Sequence, residues 1–334
     1  MKQKFQKGML GLLACMATGG AYADYQPVRP GFHLFGETLF WKTNIALPFA
    51  ATAKDFAVSD GSIFFSNFSV ENINPNYDVG VRLGAGYTFD CENLDVSFVW
   101  TQFKQKARRA LQADPSLTIL LVWDQFVSTS EVDNVQAELC EKMQTFDAVI
   151  GKTFLSSCRG MLRYYFGCKG ASLKESQLIN SAGISFSGDP TTSSGTLFNS
   201  FRAFGLMTGF NAELNVFERV SLYGRTEIAV LKSKLRSGEA FDEVVAGSPR
   251  SSMNESLYNS LKLNLVLEAG INFDISFCDR VGTVLNLGYE FNYWPNQINI
   301  VRPIVPGSPG SIVLPPVISD IGFQGFNLGL NLYF

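Results

Sequence analysis

The chain has 334 residues and a formal net charge of −3, with 46% hydrophobic and 17% charged residues, where an ordinary soluble domain carries about 25% charged. There is no excess of Lys and Arg to neutralise phosphates, which argues against nucleic-acid binding. A lone histidine, His33, leaves little for imidazole-based triads, dyads or metal sites.

The first residues read as an export signal. Lys2, Lys4 and Lys7 precede an apolar stretch from Gly8 to Ala17, and Ala21-Tyr22-Ala23 offers a small-residue cleavage site before Asp24. Residues 1–23 are therefore expected to be a signal peptide, and 24–334 the mature unit. Leu12-Leu13-Ala14-Cys15 loosely resembles a lipoprotein signal, but Leu13 fits poorly beside the cysteine. A membrane-spanning helix takes about 20 mostly apolar residues, and beyond the signal the longest apolar run, near Leu117–Trp123, is far shorter.

Past the signal the chain settles into a two-residue rhythm. Ten segments read as strands: Phe32–Thr43, Asp78–Phe89, Leu94–Lys106, Gln144–Phe154, Met161–Ser172, Phe201–Leu214, Val220–Lys232, Leu261–Ile275, Val281–Trp294 and Phe326–Phe334. The alternation is clearest late in the chain. Leu261, Leu263, Leu265 and Leu267 are interleaved with Lys262, Asn264, Val266 and Glu268, and Phe326, Leu328, Leu330 and Leu332 with Asn327, Gly329 and Asn331. A helix would scatter these two sets, whereas a strand puts them on opposite faces. Most segments have the 9–11 residues of a tilted membrane-crossing strand, or slightly more.

The connections alternate in length. Short turns at Asp90–Asn93, Leu155–Arg159, Asn215–Arg219 and Ser276–Arg280 separate five longer stretches. That is the pattern of an all-β, antiparallel, up-and-down transmembrane barrel of about ten strands (a range of 8–14), with five long extracellular loops. A soluble sandwich or lipocalin-like barrel would hide its apolar face in a core. Here large Leu, Phe and Tyr line one face and Gly and polar groups the other, as in a barrel turned inside out. In hydrocarbon an open sheet edge cannot survive, so the first strand must pair with the last. The aromatic ending of Phe326–Phe334 resembles the signal read by the barrel assembly machinery. Trp41, Trp100, Tyr293 and Trp294 near the loop side are expected to form one aromatic rim, and Phe89, Phe154, Phe273 and Phe334 the other.

Several stretches carry a family resemblance: Glu37-Thr38-Leu39-Phe40-Trp41, Gly84-Ala85-Gly86-Tyr87 with Trp100-Thr101-Gln102-Phe103, Phe146 to Gly151, Leu287-Gly288-Tyr289-Glu290 through Trp294, and Gly325 to Leu330. With these, Phe32–Phe334 resembles the major-outer-membrane-protein-like family of Legionella and chlamydia-related bacteria. The resemblance implies an abundant, porin-like barrel of the Gram-negative outer membrane. It is weakest in the long loops, so loop-borne adhesive properties do not follow from it.

By parity the inward face carries Glu37, Arg82, Asp95, Asp147, Arg163, Lys169, Arg225, Glu227, Lys262, Glu268, Asp274 and Glu290. These residues either line a conduit for small polar solutes or fill a narrow barrel with ion pairs. Ten strands lie nearer the eight that side chains can fill than the sixteen that leave a channel, and both readings of the lumen stay open. The function expected first is a porin-like barrel that passes small polar solutes passively and contributes to envelope integrity, and the alternative is a closed surface barrel acting as a structural protein or adhesin through its long loops. No catalytic residue, metal or cofactor is expected, and the protein is read as no enzyme. A surface protease of this strand count would need a histidine at the loop-side rim, and His33 begins the first strand at the other end. Of the five cysteines after Cys15, Cys91, Cys158 and Cys278 fall in short turns. The chlamydial resemblance implies a disulfide-linked envelope, in which they would join other envelope proteins. Internal pairing with one spare thiol is the alternative. Cys168 shares parity with Tyr164 and Phe166 on the lipid face. Leu117–Trp123 is too apolar for a solvated loop and suits a lumen constriction, a rim or protomer contact, or an extra short strand. Arg302–Pro316 reads as a stiff exposed loop. The expected partners are outer-membrane lipids, small polar solutes and the assembly machinery, with no nucleic acid.

Overall fold

The computed structural model describes residues 30–45, 48–53, 55–59, 62–66, 69–89, 93–114, 118–121, 129–157, 159–185, 188–275, 281–300 and 317–334. The expected signal peptide, the turn cysteines Cys91, Cys158 and Cys278, and the Pro-rich stretch 302–316 lie outside them. The described residues hold fifteen strands: β1 (Gly31–Asn44), β2 (Pro48–Ala53), β3 (Asp55–Ser59), β4 (Ser62–Ser66), β5 (Ser69–Asn72), β6 (Asp78–Thr88), β7 (Leu94–Gln112), β8 (Thr118–Leu121), β9 (Thr129–Ser157), β10 (Gly160–Ser185), β11 (Pro190–Phe217), β12 (Val220–Val245), β13 (Ser248–Asp274), β14 (Gly282–Ile300) and β15 (Val317–Tyr333). Among the described residues there is no helix.

Ten strands close into an antiparallel ring in the order β1-β6-β7-β9-β10-β11-β12-β13-β14-β15. They are the ten segments expected from the alternation. The seam between first and last strand runs from His33↔Tyr333 to Asn44↔Gly322, so neither end of the sheet keeps an unpaired edge. The short-turn end of the ring is termed lower and the opposite end upper.

The outward positions form an apolar belt. Phe98 on β7, Phe146 on β9, Phe166 on β10, Leu206 on β11, Leu263 on β13, Leu287 on β14 and Phe326 on β15 are all exposed. At the lower rim Phe89, Phe154 and Phe334 are exposed as expected, and Phe273 is half-buried. The upper rim differs. Trp41 and Trp294 are 0% and 2% exposed, inside the ring. Trp41 shares parity with Glu37, and Trp294 with Glu290. On a strand parity decides the face, while nearness to an end does not. Trp100 and Tyr293 face outward, half-exposed.

The expected long loops also differ. Residues 173–200 and 233–260, read as loops, are mostly strand: β10 and β11 stay paired up to Ile184↔Pro190, and β12 and β13 up to Val245↔Ser248. The second of these hairpins turns through Ala246 (φ 48°) and Gly247 (φ 79°). Left-handed values at both central residues mark the tight turn whose twist suits a hairpin. In the two connections around β2, β5 and β8, Thr118–Leu121 is the extra short strand. It pairs with β2 and touches β9 at Ile119↔Val132, outside the ring order, so the strand count of ten stands. Phe49, Ile73 and Ile119 of this ribbon are buried in one cluster with Val132 and Val135 on the inner face of β9.

Candidate functional site in the barrel interior

Inward side chains meet because neighbouring strands place them in register. Glu37 lies opposite Arg82, Asp147 opposite Lys169, and Arg225 opposite Glu268, which itself faces Glu290. From these pairs two ionic clusters grow across the lumen. In the first, Arg82 donates to Glu37 (2.7 Å) and to both oxygens of Glu290 (2.9 and 2.8 Å). Arg225 reaches Glu290 and Glu268, each at 3.0 Å. The Tyr223 hydroxyl donates to Glu268 (2.8 Å), and the Asn327 amide to Glu268 and Glu290 (3.2 and 3.1 Å). The Glu290 side chain is 0% exposed and that of Arg82 5%. In the second cluster Lys169 contacts Glu227 and lies 3.6 Å from Asp147, the Tyr165 hydroxyl donates to Glu227 (3.2 Å), and Arg163 pairs with Asp95. The Arg163 guanidinium lies 5.1 Å from the Tyr165 ring centroid, which links the two pairs.

Small residues make this packing feasible. A Cβ at Gly288 would collide with the Tyr223 ring and hydroxyl, and one at Gly209 with those of Tyr165. Glycine in the inward row is thus the socket for a neighbouring side chain, as Gly84 also is for Phe35, Gly86 for His33 and Gly151 for Arg163.

Above the ions the lumen is apolar. The rings of Trp41, Phe103 and Phe323 stand 5.8, 6.2 and 5.7 Å apart, and Phe201 packs edge-on against Trp294 at 5.8 Å. The Trp41 indole N–H donates to the Asn327 amide oxygen (2.8 Å), tying this layer to the one beneath. The rings come from β1, β7, β11, β14 and β15.

Ten of the twelve residues expected inside the barrel join these two clusters. The other two lie apart. Lys262, higher on β13, donates to the Asn296 carbonyl, and Asp274, at the lower end of β13, is half-buried with its backbone N–H donating to Arg219. The expectation missed Tyr165, Tyr223 and Asn327 as network members and Trp41, Phe103, Phe201, Trp294 and Phe323 as a cap. All eight share the inward parity, and that signal could have found them. His33 sits at the lower end of β1, 5.9 Å from the Tyr333 ring. Cys168 is a free, half-buried thiol on the outward face, as expected, and Cys140 is a second.

Above the belt, on β9 and β10, Glu141 and Glu175 face each other across the pair, both buried inside. Burial pushes the Glu141 carboxyl up to about 7, with the Thr43 hydroxyl opposing. Glu175 is pushed well above the usual carboxylate range by burial first and by the charge of Glu141 second. Burial disfavours the charged form of an acid, and a like neighbour adds to that.

The family described as Legionella pneumophila major outer membrane protein precursor matches residues 26–334. No curated protein sequence matches the chain. Similar solved structures include the outer membrane protease OmpT of Escherichia coli (8% identity, TM-score 0.47, covering 94% of this chain and 99% of that one). Ail, the attachment invasion locus protein of Yersinia pestis, is 12% identical with a TM-score of 0.25, covering 92% of this chain and 100% of its own. The toluene transporter TodX of P. putida is 7% identical with a TM-score of 0.32, covering 92% and 91%. None of these likenesses reaches a TM-score of 0.5, and none bears on function here. A closed ring of ten strands wearing its apolar side outward, matched over nearly its whole length by one family, settles the membership: this chain belongs to the Legionella major outer membrane protein family and is a β-barrel of the outer membrane.

Proposed function

We propose that the protein is a structural barrel that helps hold the outer membrane together, with a lumen closed at rest, and that it performs no catalysis and needs no cofactor. One observation carries this reading: the Trp41, Phe103 and Phe323 rings pack together over the ion cluster whose centre, Glu290, is fully buried. A packed interior of this kind stiffens the wall rather than leaving a conduit. The sole histidine stands at the lower end, beside no nucleophile at the upper rim, which supports a non-enzymatic role. In this reading the belt meets outer-membrane lipid, β15 presents the terminal strand to the assembly machinery, and Cys91, Cys158 and Cys278 link the barrel to other envelope proteins.

A second reading, passive diffusion of small polar solutes, has its own support. Side chains in the network keep some solvent contact: 23% for Arg225, 14% for Arg163 and 12% for Asp147. Planar-bilayer recording of the purified protein separates the two. The closed reading expects the native barrel to be silent over a wide voltage range, and a Trp41→Ala/Phe103→Ala/Phe323→Ala variant to conduct. Frequent, sustained openings of the native protein would instead establish the porin reading.

A further inference from the structure

The outward face just above the belt carries charge that no neighbour balances. Lys104 on β7 lies directly opposite Lys142 on β9, and Lys142 directly opposite Lys174 on β10. On the next strand, Arg202 of β11, diagonal to Lys174, lies directly opposite Lys234 on β12. All five side chains are exposed. Like charges placed directly across a strand pair destabilise it, so two such groupings on one half of the barrel need an external reason. Among the described residues none of the five has an ion-pair or hydrogen-bond partner. Two acids of this face near the row, Glu138 and Glu255, are engaged elsewhere, Glu138 with Arg108 and Glu255 with Arg236, whose hydrogen bond lowers the Glu255 carboxyl's pKa. The row also has a fixed height. On β9 the outward sequence from below is Phe154, Lys152, Ile150, Ala148, Phe146, Gln144 and then Lys142, and on β11 it is Phe210, Thr208, Leu206, Phe204 and then Arg202. Above Lys152, which lies beside the lower rim, the cations return only where the apolar belt ends, at the depth of lipid headgroups.

We propose that Lys104, Lys142, Lys174, Arg202 and Lys234 form a docking site for the phosphate-bearing lipid headgroups that surround the upper end of the barrel. Ammonium and guanidinium groups at this depth attract anionic headgroups, and several phosphates on one lipid would bridge neighbouring strands. The row is densest on this half. At the matching end of β14, β15 and β1 the outward residues are Tyr293, Asp320, Gln324 and a single cation, Lys42 opposite Gln324, with Tyr293 and Asp320 hydrogen-bonded to each other. The headgroup site stands independently of whether the lumen conducts.

The test uses the full barrel in phosphatidylcholine vesicles doped with diphosphoryl lipid A or with its dephosphorylated form. Lipid retained on the repurified protein and the thermal unfolding midpoint are the two readouts. The native chain is expected to retain the diphosphoryl lipid and to gain stability from it. A Lys104→Ser/Lys142→Ser/Lys174→Ser variant should retain it roughly tenfold less or worse while unfolding no earlier than the native chain in phosphatidylcholine alone, since a repulsion has been removed. Arg108→Ser/Arg236→Ser, which deletes two cations already paired with acids, should leave retention intact. Equal retention by native and triple variant, equal retention of the dephosphorylated lipid, or an equal loss in the Arg108/Arg236 variant would each overturn the proposal. Full protection by inorganic phosphate alone would do so too, because it would reduce the row to an ion site.

Discussion

Replacing Glu290 by Gln tests whether the ionic clusters hold the barrel together. Glu290 accepts from both Arg82 and Arg225 and is completely buried. Removing one partner of a buried pair costs about 3–5 kcal/mol, because the remaining charge is left without compensation. Here the remaining charges are not abandoned, since Arg82 keeps Glu37 at 2.7 Å and Arg225 keeps Glu268 at 3.0 Å. That places the loss at the lower end, about 3 kcal/mol. With a urea dependence of roughly 2 kcal/mol per molar, the unfolding midpoint in detergent or vesicles should fall by about 1.5 M. Arg82→Gln should lose a similar amount, and the double variant much less than the sum, because the two groups act on each other. Single losses below about 0.5 kcal/mol that simply add would mean that the cluster is a bystander and that belt and backbone carry the fold.

The geometry makes three further outcomes testable. Leu287→Lys, in the middle of the lipid-facing row of β14, should cost about 2–4 kcal/mol in a bilayer, and a shift as small as that of a Ser221→Thr control would contradict the outward belt. Gly288→Ala should expel the Tyr223 ring from its socket, breaking its bond to Glu268; an unchanged tyrosine environment by near-ultraviolet circular dichroism would show the socket to be roomier than its walls imply. For Glu141 and Glu175 the folded carboxyls titrate above the unfolded value of 4.5, Glu141 near 7. Both are neutral in both states below pH 4.5, so their burial carries no charge penalty there. The penalty grows as the pH rises above 4.5 and levels off once the folded carboxyls ionise, for Glu141 at about 7. Amide exchange in the upper parts of β9 and β10, corrected for intrinsic rates, should therefore be faster at pH 8 than at pH 5.5, and Glu141→Gln/Glu175→Gln should flatten that difference. A flat profile in the native chain would refute the assignment.

The lower half of the molecule was legible because it sits in two solvents. From Leu261 to Ile275 one face meets lipid and the other an ion-filled interior, and that contrast writes itself into every second residue. Ten of the twelve charged residues expected inside by their parity lie in the network. The upper hairpins were not legible for the converse reason. Along Leu173 to Ser185 the inward Leu173, Glu175, Gln177 and Ile179 and the outward Lys174, Ser176, Leu178 and Asn180 differ little in polarity. The inward four are buried, but with polar and apolar side chains mixed on both faces the burial leaves no alternation in composition. The turn at Ala246-Gly247 also lacks the Asn or Asp that usually announces a two-residue hairpin loop. Trp41 and Trp294 lie near strand ends, as rim residues do, but their parity turns them inward.

The height of those hairpins shapes what the protein shows to its surroundings. From Lys232, at the headgroup level, to Val245 at the tip, β12 continues for thirteen residues without a break, which at about 3.3 Å per residue and a tilt near 40° lifts the apex roughly 30 Å clear of the membrane. An antibody or a phage approaching the cell would therefore meet a stockade of braced ribbons before it met lipid. A short peptide tag spliced between Ala246 and Gly247 should be displayed on a stiff mast, legible to a bulky binder, with the barrel beneath undisturbed.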